Sequence, residues 1–253
     1  MIEIKDLSFG YGKNNVLQNF SACFEKGKLT SIIGTNGSGK STLLKTIVGI
    51  LPLNTGGILI DGTELSSLKP QKIAKRISYL AQGKNTPDMT AFQMVLHGRF
   101  PHLSYPRRYS QKDRDAAYSA MERMGILGYA DKSMVSLSGG MRQNVYIAMA
   151  LAQDTDYILL DEPTTYLDIS HQLHLMKTLR TLAADGKGII TVMHDLPMAF
   201  NFSDNIAVVS GGKAVICSSP KEVYNNGVIK DVFGIELNYS QNEENYYYGY
   251  NQK

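Results

Sequence analysis

The residues best suited to chemistry in this sequence form one run, Gly34-Thr35-Asn36-Gly37-Ser38-Gly39-Lys40-Ser41-Thr42. Gly34, Gly37 and Gly39 let the backbone fold tightly and turn several amide N–H groups into one concavity, an anion cradle. A helix opening at Lys40 would aim its positive end at the same point. Lys40 adds a mobile point charge for outer phosphates, and Ser41 a hydroxyl for Mg²⁺. Every fixed position of the phosphate-loop pattern is filled, and a short apolar strand predicted over 29–33 runs straight into it. A glycine-rich turn that merely precedes a helix would not require that whole set.

A second group is acidic. Tyr157-Ile158-Leu159-Leu160 is a continuous apolar run, the pattern of a strand buried on both faces, and Asp161 and Glu162 follow it. Such a strand delivers its last carboxylate to the carboxyl edge of an α/β sheet, where ligands bind. Asp161 would hold Mg²⁺ through its water shell, leaving Glu162 to polarise an attacking water as general base. Two acids at a strand end are otherwise ordinary solvated charges; the phosphate loop gives them a partner.

The remaining elements must position these groups. Ile2, Ile4 and Leu7 alternate with charged residues as in a half-buried strand, and 57–61 is another strand, closed by the turn pair Asp61-Gly62. Leu43, Leu44, Ile47 and Val48 fall at helical spacing after the loop. Phe92, Val95 and Leu96 mark a further helix, after which Pro101 and Pro106 should break any regular element. Ser110 and Asp113 form a capping-box-like start to a helix with Ala117, Ala120, Met121 and Met124 inward, ended by Gly125. Val145, Ala148, Met149 and Ala152 line another. This helical block, about 86–154, interrupts an alternating α/β chain. The alternation resumes with a helix over 170–184, a buried strand over 189–193 and a hairpin from 206–209 and 214–217 across Gly211-Gly212. Ser219-Pro220-Lys221-Glu222 opens a short helix. The pattern predicts a mostly parallel sheet covered on both faces.

Leu137-Ser138-Gly139-Gly140 resembles the signature sequence of the ABC (ATP-binding cassette) ATPases. Gln82, after Tyr79-Leu80-Ala81, is similar to their glutamine switch, and His194, after Ile190-Thr191-Val192-Met193, to their switch histidine. Tyr11, in Phe9-Gly10-Tyr11-Gly12, resembles the aromatic residue that stacks on adenine. Leu167-Asp168, after Pro163-Thr164-Thr165-Tyr166, resembles the loop that meets a second subunit, with Asp168 as the dimer contact. These motifs occur in family order over nearly the whole chain. The resemblance implies an α/β P-loop NTPase fold of the ABC type over residues 2–235, with an antiparallel β subdomain and the inserted helical subdomain. Residues 236–253 would follow as a tail or hairpin.

The same resemblance implies an ATPase that converts ATP and water to ADP and phosphate, with Mg²⁺ held by Ser41, Gln82 and Asp161. Glu162, His194 and Gln82 would be the catalytic residues. Two copies would pair head to tail, each ATP lying between one phosphate loop and Ser138-Gly139-Gly140 of the partner. Met141 stands where a glutamine commonly follows the signature glycines, and Asn144 and Met149 where relatives often carry arginine. These departures predict an atypical rate.

Gly98-Arg99-Phe100-Pro101-His102-Leu103 and Val232-Phe233-Gly234 are similar to the ATPases of bacterial iron-siderophore, haem and cobalamin importers. The implied role is a peripheral, homodimeric ATPase on the cytoplasmic face of two membrane-spanning permease subunits, served indirectly by an extracytoplasmic binding protein. Import rather than export rests on resemblance alone. Two other classes stay open: a soluble ABC protein acting on ribosomes or nucleic acid, and a regulatory ATP-binding module without turnover. The net charge of +3 with scattered basic residues gives no argument for a nucleic-acid surface.

Other features carry less. Cys23 and Cys217 lie far apart in apolar stretches and are expected to be buried thiols, not a disulfide framework or a zinc site. His171 and His174 at helical spacing have no third ligand in view and read as a polar helix face; His97 and His102 fall in the helical block. Tyr246-Tyr247-Tyr248-Gly249-Tyr250 reads as one arm of a hairpin with 235–239, or as a loose tail. The N-terminus lacks a signal-peptide pattern, and no apolar stretch is long enough to cross a bilayer.

Overall fold

The structure, a computed structural model, describes residues 1–250 apart from 13, 84, 85, 166, 243 and 244. Tyr166 of the expected dimer loop therefore lies outside the described residues. In the first of two larger sheets, β1 (Ile2–Tyr11) pairs antiparallel with β2 (Asn14–Phe24) and β4 (Thr55–Ile60), and β5 (Thr63–Glu64) lies beyond β4. Asp6, at φ 48°, bulges β1, so that Leu7 joins Ile2 and Ile4 on the buried face. Asp61 and Gly62, at φ 49° and 75°, make the tight β4–β5 turn whose two central residues both need positive φ.

The second sheet has the order β10-β9-β3-β8-β7-β6. Here β3 is Leu29–Gly34, β6 Ile77–Leu80, β7 Tyr157–Asp161, β8 Gly188–Val192, β9 Asn205–Ser210 and β10 Lys213–Ser218. All neighbours are parallel except β9 and β10. Every residue of β3, β7 and β8 is buried, as continuous apolar runs require when both faces are covered. Alternation sorts them: Ile32, Leu159 and Ile190 pack toward α1 (Lys40–Ile47) and the antiparallel sheet. Ile33, Leu160 and Ile189 pack instead toward α5 (Gly139–Ala152), α6 (Ile169–Ala184) and α7 (Leu196–Phe202).

The helical block contains α3 (Ala91–Leu96), α4 (Gln111–Arg123) and α5, the first two opened by capping boxes from Thr90 with Gln93 and Ser110 with Asp113. Pro101 does not break regular structure as expected. It sits inside a 3₁₀ segment, His97–His102, where its carbonyl accepts from Gln71 Nε2 at 3.0 Å, next to α2 (Pro70–Ala74). Neighbouring residues tie this segment to the end of α5. A Cβ on Gly98 would stand 2.1 Å from the Met149 carbonyl oxygen, so only glycine fits. Arg99 donates to Ala152 O at 2.9 Å and to Asp113 Oδ1 at 3.0 Å, and His102 Nε2 lies 2.8 Å from Gln153 O.

Arg99 and Asp113 form a buried ion pair. Asp113→Ala would strand the guanidinium and should cost about 3–5 kcal/mol, read from chemical denaturation. Burial alone would raise the Asp113 carboxyl, but hydrogen bonds from Ser110 and the Arg99 guanidinium outweigh it and hold it at about 2, against an ordinary 3.8. A depressed carboxylate stabilises the fold above its unfolded pKa, so this contribution should disappear as pH falls from about 4 toward 2.

After β10 come α8 (Pro220–Asn225), with a capping box from Ser219 and Glu222, and α9 (Val228–Phe233). The chain then forms a hairpin of β11 (Leu237–Asn242) and β12 (Asn245–Tyr250), two residues later than the predicted first arm. The cysteines are not buried: Cys23 and Cys217 are both exposed. Each occupies an outward position of its alternating strand, which the apolar surroundings in sequence concealed. Among the described residues no helix is long and apolar enough to cross a membrane.

Candidate functional site

Gly34 ends β3 beside Val209, its register partner in β9, and a Cβ there would lie 2.2 Å from the Val209 carbonyl oxygen. Gly37 and Gly39 take φ of 78° and 100°, conformations that favour glycine. Thr35, Asn36 and Gly37 are exposed, and Ser38 N donates to Thr35 O at 3.2 Å to close the loop. Gly39 precedes α1, whose first-turn amides at Lys40, Ser41 and Thr42 have no helical acceptor and face the loop's mouth. Ser38 Oγ is buried and, among the described residues, has no hydrogen-bond partner. The Lys40 ammonium donates to Gly34 O at 2.8 Å and Thr35 O at 2.9 Å. Burial lowers its pKa, opposed by the nearby carboxylates of Glu162 and Asp161.

The acids stand opposite. Ser41 Oγ donates to Asp161 Oδ1 at 3.0 Å, and Tyr79 OH to Asp161 Oδ2 at 3.3 Å. Burial raises the Asp161 carboxyl above its usual range, although those two hydrogen bonds oppose it. Burial and the Asp161 charge in turn push the Tyr79 phenol up. A hydroxyl and a carboxylate this close are hard oxygen donors, so the residues fit Mg²⁺. Glu162 has φ 52°, an uncommon conformation for a side-chain-bearing residue, and it turns the carboxylate out of the strand line. Its Oε2 accepts from Gln82 Nε2 at 2.5 Å, and its Oε1 lies 2.5 Å from His194 Nε2. His194 is carried just past β8, where Met193 N donates to Ile32 O at 3.1 Å and fixes the exit from the sheet.

Three adjacent strands, β3, β8 and β7, thus end in the phosphate loop, His194 and the acid pair. Glu162 forms a shared wall between two cavities. One, about 250 Å³, is lined by Asn36, Gly37, Lys40 and Ser41; the other, about 400 Å³, by Gln82, Gly139, Arg142 and Asp161. Gln82 is brought to Glu162 rather than hydrogen-bonded to the Ser41–Asp161 pair. Ser138 and Gly140 line neither cavity. Ser138 caps α5, accepting from Met141 N at 3.3 Å, a backbone contact indifferent to the side chain at 141. Asp168 caps α6, accepting from His171 N at 2.9 Å, and its Oδ1 lies 2.8 Å from His171 Nδ1. A Cβ on Gly140 would approach the His171 ring to 3.2 Å, so His171 joins the signature glycines to Asp168. Tyr11 is exposed, edge-on to Phe9 at 4.9 Å.

Sequence reasoning gave no role to Tyr79 or His171. The signal for Tyr79 was its strand position, since parallel register sets β6 beside β7 and Tyr79 near Asp161. The ABC transporter family profile matches residues 17–165, which include the phosphate loop, the signature and both acids. The chain belongs to the ABC transporter family. It is an ATP-binding cassette and an ATPase, as the resemblance implied. It is 40% identical over 233 residues to the ferric enterobactin transport ATP-binding protein FepC of Escherichia coli, covering 91% of this chain and 86% of that protein. It is 37% identical over 241 residues to the petrobactin import ATP-binding protein FpuD of Bacillus anthracis, covering 94% and 88%. Among solved cassettes, a dimeric post-hydrolysis structure bound to ADP and phosphate superposes with TM-score 0.75 at 28% identity, over 87% of this chain and 99% of that one. A nucleotide-free cassette superposes at 0.84 with 23% identity over 92% and 96%, which speaks to the fold.

Proposed function

We propose that this cassette is the ATP-hydrolysing subunit of a membrane importer for an iron–siderophore complex or a related metal chelate. The observation that carries the enzymatic part is Glu162, held between Gln82 and His194 at the mouth it shares with Lys40 and Ser41. The loop amides and Lys40 bind and orient the phosphates, and the otherwise unpartnered Ser38 hydroxyl offers another contact. Ser41 and Asp161 would hold Mg²⁺, with Gln82 close by. When bound, Mg²⁺ neutralises charge on the outer phosphates. Glu162 accepts the proton of the attacking water, and His194 stabilises the γ-phosphate. Each Glu162 oxygen is held by one side chain, Gln82 or His194, and because a carboxylate offers about four acceptor sites, it can meet water while both keep it in place.

Two copies would close head to tail, with Ser138, Gly139 and Gly140 of one against the nucleotide of the other and Asp168 at the contact. Tyr11 would stack on adenine. The transport part is supported by the similarity to the ferric enterobactin transport and petrobactin import ATP-binding proteins. Those relatives favour an importer at the cytoplasmic face of the membrane over a ribosome-acting protein. For docking on a permease subunit we assign the groove of about 650 Å³ between α2 and residues 97–107, where Phe100 and Tyr105 are exposed and Arg107 stacks on Phe100 at 4.7 Å. Affinity purification from membranes should recover a polytopic membrane partner. Tyr105→Ala with Phe100→Ala should lose that partner and keep the detergent-free ATPase rate. Recovery of RNA or ribosomes in its place would refute the transport reading.

A further inference from the structure

The C-terminal hairpin packs on the helix that follows the switch histidine. Tyr248 of β12 is buried, and its backbone makes two hydrogen bonds with the Asn201 side chain of α7. Asn201 Nδ2 donates to Tyr248 O at 3.1 Å, and Tyr248 N donates to Asn201 Oδ1 at 2.9 Å. The Tyr248 ring lies 4.9 Å from Phe200 of α7 and 5.7 Å from Tyr224 of α8. Two residues further along β12, Tyr250 lies by the start of α7: burial and the Asp195 charge push its phenol up, and the Leu196 backbone opposes them. The hairpin thus packs along α7 and is tied to it at Asn201. Asp195 caps α7, accepting from Met198 N at 2.7 Å, and His194 is the residue before it.

A seven-residue helix has little stability of its own, so packing decides where it sits. An isolated two-stranded hairpin is equally marginal, so it depends on α7, which is held by the sheet and α6 on one side and by the hairpin on the other. We propose that the hairpin is a positioning element for His194, with Asn201, Tyr248 and Tyr250 as positioning residues that act through α7 and Asp195. This role rests on the ATPase reading above and concerns the aim of His194 at Glu162, not nucleotide binding.

The test uses the full chain carrying Asn201→Ala or Tyr250→Phe, the second removing one hydroxyl while keeping the ring. Each should lower kcat for ATP hydrolysis by about tenfold and leave KM for ATP within about twofold. Asn201→Asp, which keeps the acceptor for Tyr248 N, should recover part of the loss. Amide hydrogen exchange should quicken at 194–198 and stay unchanged at 37–42. Wild-type kcat in both variants, or a KM that rises in step with the loss, overturns the proposal. If the wild-type chain itself hydrolyses no ATP, the enzymatic reading falls separately. The exchange measurement then decides alone, and unaltered exchange at 194–198 in both variants rejects the positioning role.

Discussion

Glu162→Gln is expected to lower ATP turnover by on the order of 10²–10⁴-fold while ATP still binds, and to accumulate an ATP-bound dimer. The amide keeps the size of the carboxylate but cannot take a proton from water. It also places a donor group where Gln82 Nε2 or His194 Nε2 now meets an oxygen: turned toward Gln82 it breaks that contact, and turned toward His194 it requires Nε2 to accept. The phosphate-binding groups lie on β3 and α1 and keep their places; only the Glu162 charge near Lys40 is lost. Phosphate release, nucleotide titration and size-exclusion chromatography with ATP measure the three effects. Turnover near the wild-type rate would remove Glu162 from the role of general base.

Gly34→Ala should be the most damaging single-methyl change in the phosphate loop. The added carbon would stand 2.2 Å from Val209 O and 2.8 Å from Ser38 Oγ. The first of these is backbone of a central strand and cannot swing away, so the β3–β9 ladder must part where the loop begins. Overpacking of this kind costs about 1–3 kcal/mol or more. Displacing two amides from phosphate, at about 1.5–3 kcal/mol each, would weaken ATP roughly a hundredfold or beyond. Gly37→Ala is the control: nothing lies within 4 Å, and only the φ of 78° resists it, at about 1–2 kcal/mol. Thermal unfolding and ATP titration should rank Gly34→Ala as the worse of the two. The reverse order would mean that close packing on β9 does not set the shape of the loop.

The parts of the site fixed by local pattern were legible in the sequence. Buried strand β7 announces itself as an unbroken apolar run, and Asp161 and Glu162 follow because only the sheet edge can take charges. The cap at Ser110 and Asp113 was equally visible, because its residues are three apart. Pairings across the fold were hidden. Arg99 stood in the sequence only as part of an importer-like segment, whereas it is buried on Asp113 and the end of α5, a contact no local spacing encodes. The cysteines failed for the opposite reason: apolar neighbours suggested burial, but strand alternation turned both outward. The engagement of both Glu162 oxygens could not be read either, since it joins segments 80 and 32 residues away.

The order of the parallel sheet sets when this protein can first work during its own synthesis. β8, the strand between β3 and β7, is made after both of them. A nascent chain that ends before residue 188 already holds the phosphate loop and the acid pair, but with a missing stave between them. Its two halves expose strand edges and apolar faces that no local element can cover, and these surfaces are the ones that invite misassociation. Nucleotide therefore cannot template the early chain; it can bind only once the last quarter has arrived. Truncation by nonsense mutation or proteolysis before 188 should accordingly yield aggregates rather than a weak nucleotide binder.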